Sequence, residues 1–147
     1  MRPPIQVRVG DESPAREIGP ITQTDIVRFA GAGGDFNPLH HDAEVATSAG
    51  FPGVISMGQM QAGMLAALLS DWVGVEHLRE YGVRFVAPVF IGDVLRLSGR
   101  VVAIDTQERE SIATIDLSVT RDGDTVVKGV AKAVVTPARP GEPAAAG

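Results

Sequence analysis

Seventeen residues, Met57 to Val73, form the most apolar run in the chain, broken only by Gln59, Gln61, Ser70 and Asp71. A helix that is apolar nearly all round must be buried on several faces at once. One neighbouring helix cannot do that, but a curved sheet can. The run is slightly short for a membrane span and carries polar residues, so it reads as a core helix. Ser56-Met57-Gly58-Gln59 at its start has the Ser-x-x-Gln form of a capping box, and Gly74 marks its end. The row Met57, Met60 and Met64 is at helical spacing and reads as core that can also line a pocket. Gln61 fits an apolar helix poorly and points to a subunit interface or a pocket wall.

The C-terminal half supplies strands for such a sheet. His77 to Phe90 can place Val83, Phe85, Ala87 and Val89 on one face, limited by Pro88. Val94 to Ile104 alternates Leu95, Leu97, Val101 and Ala103 against Arg96, Ser98 and Arg100. Ile112 to Thr120 alternates more cleanly, with Ala113, Ile115, Leu117 and Val119 on one side. Asp122-Gly123 is a strong hairpin signal, and Thr125 to Val135 returns. These segments read as an antiparallel meander.

The N-terminal half holds shorter pieces. Ile5, Val7 and Val9 alternate as a short edge strand, and Arg16 to Ile21 is a second extended piece. Thr22 with Asp25 forms a capping box for a helix that Gly31, Gly33 and Gly34 end. Asp42 caps a short helix reaching Ala49. The expected fold is α+β in one domain, residues 1–136, with a Pro-, Ala- and Gly-rich disordered tail at 137–147.

With 147 residues and no cysteine, the chain has neither disulfides nor thiolate chemistry. A net charge of -5 argues against non-specific nucleic-acid binding. No apolar leader opens the sequence, so the expected setting is the cytoplasm, off the membrane.

Between the first two helices lies Gly33-Gly34-Asp35-Phe36-Asn37-Pro38-Leu39-His40-His41-Asp42, which concentrates ionisable groups in a turn. Alone, Asp35 reads most simply as a turn-stabilising residue, and His40 as a packing or surface histidine. Asn37 and Pro38 suit the bend itself. Adjacent His40, His41 and Asp42 point apart in an extended loop, and no further cluster supports a metal site. His41 is left as a rim residue.

Phe29-Ala30-Gly31-Ala32-Gly33-Gly34-Asp35-Phe36-Asn37-Pro38-Leu39-His40 resembles the hydratase signature of MaoC-like dehydratases and (R)-specific enoyl-CoA hydratases. Val83-Arg84-Phe85-Val86-Ala87-Pro88-Val89 followed by Gly92-Asp93 resembles a second pattern of that family. The resemblance, over roughly 16–135, implies a hotdog fold: a curved antiparallel sheet wrapped around one long central helix. It implies Asp35 and His40 as the catalytic pair, moving a proton between water and Cα of a thioester in syn addition. Gly58, in the first turn of the central helix, would then offer its N–H to the thioester oxygen as an oxyanion hole.

The substrate implied is carried by coenzyme A or acyl carrier protein, with no other cofactor, and the assembly implied is a homodimer or larger. Arg84, Arg96 and Arg100 are candidates for the coenzyme A phosphates, though solvated sheet-face arginines are the simpler reading. The family often has His-Gly-Met where this chain has Met57-Gly58-Gln59. Some members place a serine where Gly63 stands, to help orient the acid or base. A non-catalytic thioester-binding subunit of a hetero-oligomer and a hotdog thioesterase remain the alternatives.

Overall fold

The computed structural model describes residues 2–139. Its elements, in chain order, are β1 (Gln6–Val7), β2 (Arg16–Ile18), α1 (Gln23–Gly33), α2 (Ala43–Ser48), α3 (Gly58–Val73), β3 (Leu78–Phe85), β4 (Leu95–Thr106), β5 (Ser111–Arg121) and β6 (Asp124–Pro137). Single 3₁₀ turns at Pro38–His40 and Val75–His77 precede α2 and β3. This is the hotdog arrangement the apolar helix demanded. Leu65, Leu69 and Val73 of α3 are fully buried against Leu95, Leu97, Val101, Ile115, Val119 and Ala131 of the sheet.

The strand order departs from a simple meander. β4, β5 and β6 follow one another as antiparallel neighbours, but β3 pairs with β6 rather than with β4. β1 adds in parallel to the far end of the same β6 edge, pairing Gln6 with Thr136. β2 closes the opposite side against Leu95–Leu97 of β4. Asp122 and Gly123, at φ 51° and 90°, make the tight turn between β5 and β6.

Two further expectations are corrected. β3 starts after the Val75–His77 turn and ends at Phe85, so residues 86–90 run as a loop, with the Val86 and Ala87 N–H groups both donating to Val126 O. In β4 the alternation fails after Val101, where the pairing with β5 shifts register. The irregularity turns Ala103 outward, and Ile104 packs on the core instead.

The capping box of α1 forms as read. Thr22 Oγ1 accepts from Asp25 N–H at 3.1 Å, and the Asp25 carboxylate accepts from Thr22 N–H at 2.9 Å. The side-chain hydrogen bond from Thr22 is the main reason the Asp25 carboxyl sits below its ordinary range. The box expected at Ser56 does not form. Met57 is the N-cap of α3, with no side-chain bond to the helix N-terminus.

The other end of α3 is anchored from far away in sequence. Arg2 Nη2 donates to the carbonyls of Ser70, Asp71 and Trp72 at 3.3, 2.9 and 2.9 Å. Of the expected tail, Pro137 ends β6 and Ala138 N–H bonds to Val7 O, while residues 140–147 lie outside the described residues. Among the described residues, no helix is long and apolar enough to cross a membrane.

Candidate active site

Asp35 follows Gly34, whose left-handed conformation (φ 68°) ends α1 and turns the chain. Its Oδ1 accepts from the Asn37 N–H at 3.2 Å, an Asx turn that uses one carboxylate oxygen. The other, Oδ2, lies 3.5 Å from His40 Nε2. The turn hydrogen bond and the approach to His40 therefore use different oxygens of one carboxylate. Asn37 caps the 3₁₀ turn by accepting from Leu39 N–H at 3.0 Å, with Pro38 in its first turn. Asn37 and Pro38 thus hold the bend, and Asp42 caps α2 by accepting from Glu44 and Val45.

His40 is almost fully buried, while the Asp35 side chain is half exposed. The imidazole is fixed by a 2.7 Å contact between Nδ1 and the carbonyl oxygen of Ile55. A carbonyl only accepts, so Nδ1 carries a proton and Nε2 is the ring nitrogen that faces Asp35.

Ile55 is itself held on several sides. Its N–H donates to Leu39 O at 3.0 Å, and it forms an antiparallel bridge with Phe90. The next residue, Ser56, donates its N–H to Val89 O at 2.8 Å. Asp93 stiffens the far side by accepting from Phe90 N–H at 2.8 Å and from Arg121 Nη1 at 2.7 Å, while Arg121 also reaches Pro88 O.

These groups open onto a cleft of about 400 Å³ lined by Asp35, His40, Met57, Gly58, Gln61 and Phe85, among others. Gly58 is the first residue of α3, and its N–H has no partner among the described residues. The missing cap leaves that end of the helix open to the cleft, where its dipole favours negative charge. A Cβ on Gly58 would lie 2.8 Å from the Phe85 ring, so any larger residue there would push the wall across from it.

The arginines fall elsewhere. Arg96 and Arg100 line a separate outer-face groove with Ser98, Ser118 and Lys128, and Arg84 is paired across strands with Lys128. Gly63 is exposed, with open space where a Cβ would be. Among the described residues, no group of three or more His, Asp or Glu is placed to hold a metal.

The sequence reading missed Gln61 as a definite member of this wall. Its amide Nε2 donates to Ser56 Oγ at 2.7 Å, while Met57 rather than Ser56 stands at the N-cap of α3. The signal was present as an amide inside an apolar run, but sequence alone did not say which face of the helix would meet the cleft.

The chain matches the MaoC like domain family over residues 5–122. An (R)-specific enoyl-CoA hydratase of Rhodospirillum rubrum is 30% identical over 122 residues, which are 81% of this chain and 82% of that protein. The enzyme of the same name from Aeromonas caviae is 32% identical over 111 residues, 73% of this chain and 81% of its own. The solved (R)-hydratase from A. caviae superposes with a TM-score of 0.74 at 26% identity, covering 89% of this chain and 98% of that one. With a family match over most of its length, a hotdog fold and relatives that share the same architecture, the chain belongs to the MaoC-like family of hydro-lyases.

Proposed function

We propose that the chain is an enoyl-thioester hydratase and 3-hydroxyacyl-thioester dehydratase, specific for the (R)-hydroxy product. Its substrate is carried by coenzyme A or acyl carrier protein, and the reaction uses neither metal nor redox cofactor. The observation that carries the reading is the pairing of Nδ1 of His40 with the Ile55 carbonyl, which leaves a basic Nε2 facing Asp35.

In hydration, one water donates a hydrogen bond to each of Nε2 and the Asp35 carboxylate. Its oxygen attacks Cβ, the C=C pair moves onto Cα and the thioester oxygen, and His40 takes the proton. The carboxylate 3.5 Å away faces the imidazolium as it forms. The same proton is then returned to Cα on the same face, so no proton is gained or lost and addition is syn. The Gly58 N–H, at the open end of α3, stabilises the enolate oxygen. The edge of β3 away from β6 has no strand partner among the described residues, which supports assembly of at least two chains.

The test is loss of enoyl absorbance from crotonyl-CoA, repeated with Asp35→Asn and His40→Ala. Wild-type protein inactive on short, medium and branched enoyl thioesters defeats the proposal. Product mass separates it from thioester hydrolysis, which releases free coenzyme A.

A further inference from the structure

Gln61 is 2% exposed and is the one polar side chain among the buried residues of α3, which are otherwise Met60, Ala62, Leu65, Leu68, Leu69 and Val73. Its amide is half satisfied. Nε2 donates to Ser56 Oγ at 2.7 Å, and Ser56, itself 5% exposed, turns its hydroxyl to Met60 Sδ at 3.9 Å. Oε1 accepts no hydrogen bond among the described residues. Yet no buried side-chain nitrogen or oxygen among them lacks a partner. That oxygen is therefore not fully enclosed, and Gln61 is among the residues that line the cleft.

Its position follows from helix geometry. Gln61 lies three residues beyond Gly58, on the same face of α3 and one turn further in. Gly63, five residues beyond Gly58, faces open space instead. A thioester carbonyl held by the Gly58 N–H would therefore direct an acyl group lying along α3 past the Gln61 amide. The cleft volume of about 400 Å³ does not by itself bar a medium-length chain. Polarity does. A methylene tail laid on Oε1 strips water from an acceptor and offers it no donor in return. Either end of an amide carries the same penalty, so the consequence does not depend on which atom faces outward.

We propose that Gln61, fixed by Ser56, is a specificity-determining residue that selects short acyl groups and discriminates against extended apolar ones. The inference rests on the hydratase reading and narrows its substrate class. The experiment compares kcat/KM for trans-2-butenoyl-CoA and trans-2-octenoyl-CoA in wild-type protein and in Gln61→Met, which keeps length while removing the polar end. The octenoyl-to-butenoyl ratio rises tenfold or more in the variant. An unchanged or falling ratio overturns the proposal.

Gln61→Glu provides a second arm should the first variant fold poorly. It makes the same position more polar, and the ratio falls below that of the wild type; a rise overturns the proposal. The two readings fail separately. Wild-type protein that hydrates neither thioester removes the hydratase assignment, whereas wild-type hydration with a ratio insensitive to residue 61 removes only the role of Gln61.

Discussion

Asp35 and His40 meet at 3.5 Å between Oδ2 and Nε2, each held from behind by a backbone group of a different segment. Asn37 N–H holds Asp35 through Oδ1, and the Ile55 carbonyl holds His40 through Nδ1. The separation is longer than a good direct hydrogen bond and short enough for one water to contact both groups.

Asp35→Asn keeps an oxygen for the Asn37 N–H, so the turn survives while the carboxylate is lost. His40→Ala removes the proposed proton acceptor. Each lowers kcat by about 10²–10⁴, the usual contribution of a positioned acid or base. Crotonyl-CoA kinetics read the loss, and a thermal melt checks that the Asp35 variant remains folded. Either variant retaining wild-type kcat would remove its residue from the mechanism.

Gly58→Ala leaves the N–H in place but puts a methyl group 2.8 Å from the Phe85 ring. The ring is 46% exposed and is displaced rather than the helix. Misplacing the cleft wall or the donor by about 1 Å costs about 10² in rate. Adding Phe85→Ala relieves the clash, so the double variant is more active than the sum of the single losses allows. Additive losses would mean that the glycine acts without reference to Phe85.

Arg121 and Asp93 are 23% and 18% exposed in their side chains and hold the Pro88–Asp93 loop. Arg121→Met strands the carboxylate and frees the Pro88 carbonyl. The expected cost is about 1.5–3 kcal/mol, the range for hydrogen bonds to charged groups. Urea unfolding measures it. Because Val89 and Phe90 hold Ser56 and Ile55, kcat falls as well. A stability loss with unaltered kinetics would separate the clamp from the site.

Burial pushes the Tyr81 hydroxyl up to about 12, and the same group donates to Ala62 O at 2.7 Å. The folded protein then keeps this proton over a pH interval where the unfolded chain has lost it. Its contribution is present in full below about pH 10 and is lost as pH rises from there to about 12. Tyr81→Phe removes this part of the alkaline slope in stability. The chain has one tyrosine, so tyrosinate absorbance reports the titration directly. A midpoint at the ordinary tyrosine value would contradict the expectation.

Local signals in the sequence translated well where a few residues decide the outcome. The Thr22–Asp25 box, the Asp122-Gly123 turn and the alternation of β5 depend on neighbours in the chain, and each formed as read. The fold class followed from one helix that could not be left exposed. What was not legible depended on partners distant in sequence. Nothing in β3 itself says that β6 rather than β4 is its neighbour. The β4 irregularity swaps Ala103 for Ile104 with no glycine or proline within residues 101–104 to mark it. Ser56 has the spacing of a cap, but α3 starts one residue later with Met57 as its N-cap, and the Ser56 hydroxyl meets Gln61 and Met60 instead. At the site, Asp35 and His40 were readable from the signature; the carbonyl that sets the histidine tautomer came from Ile55, which carries no chemical signal in its side chain.

The two ends of α3 have opposite fates. At one, the Arg2 guanidinium covers three carbonyls; at the other, no side chain among the described residues covers the first N–H groups. The ends are about 24 Å apart, too far for the cation to act on the cleft through its field. What Arg2 supplies is mechanical. A rod seated firmly at its rear can leave its front unfinished without fraying, and that unfinished front is where the substrate is expected to bind. Trimming the first few residues would therefore weaken catalysis from the opposite side of the molecule, with every residue of the cleft still in place.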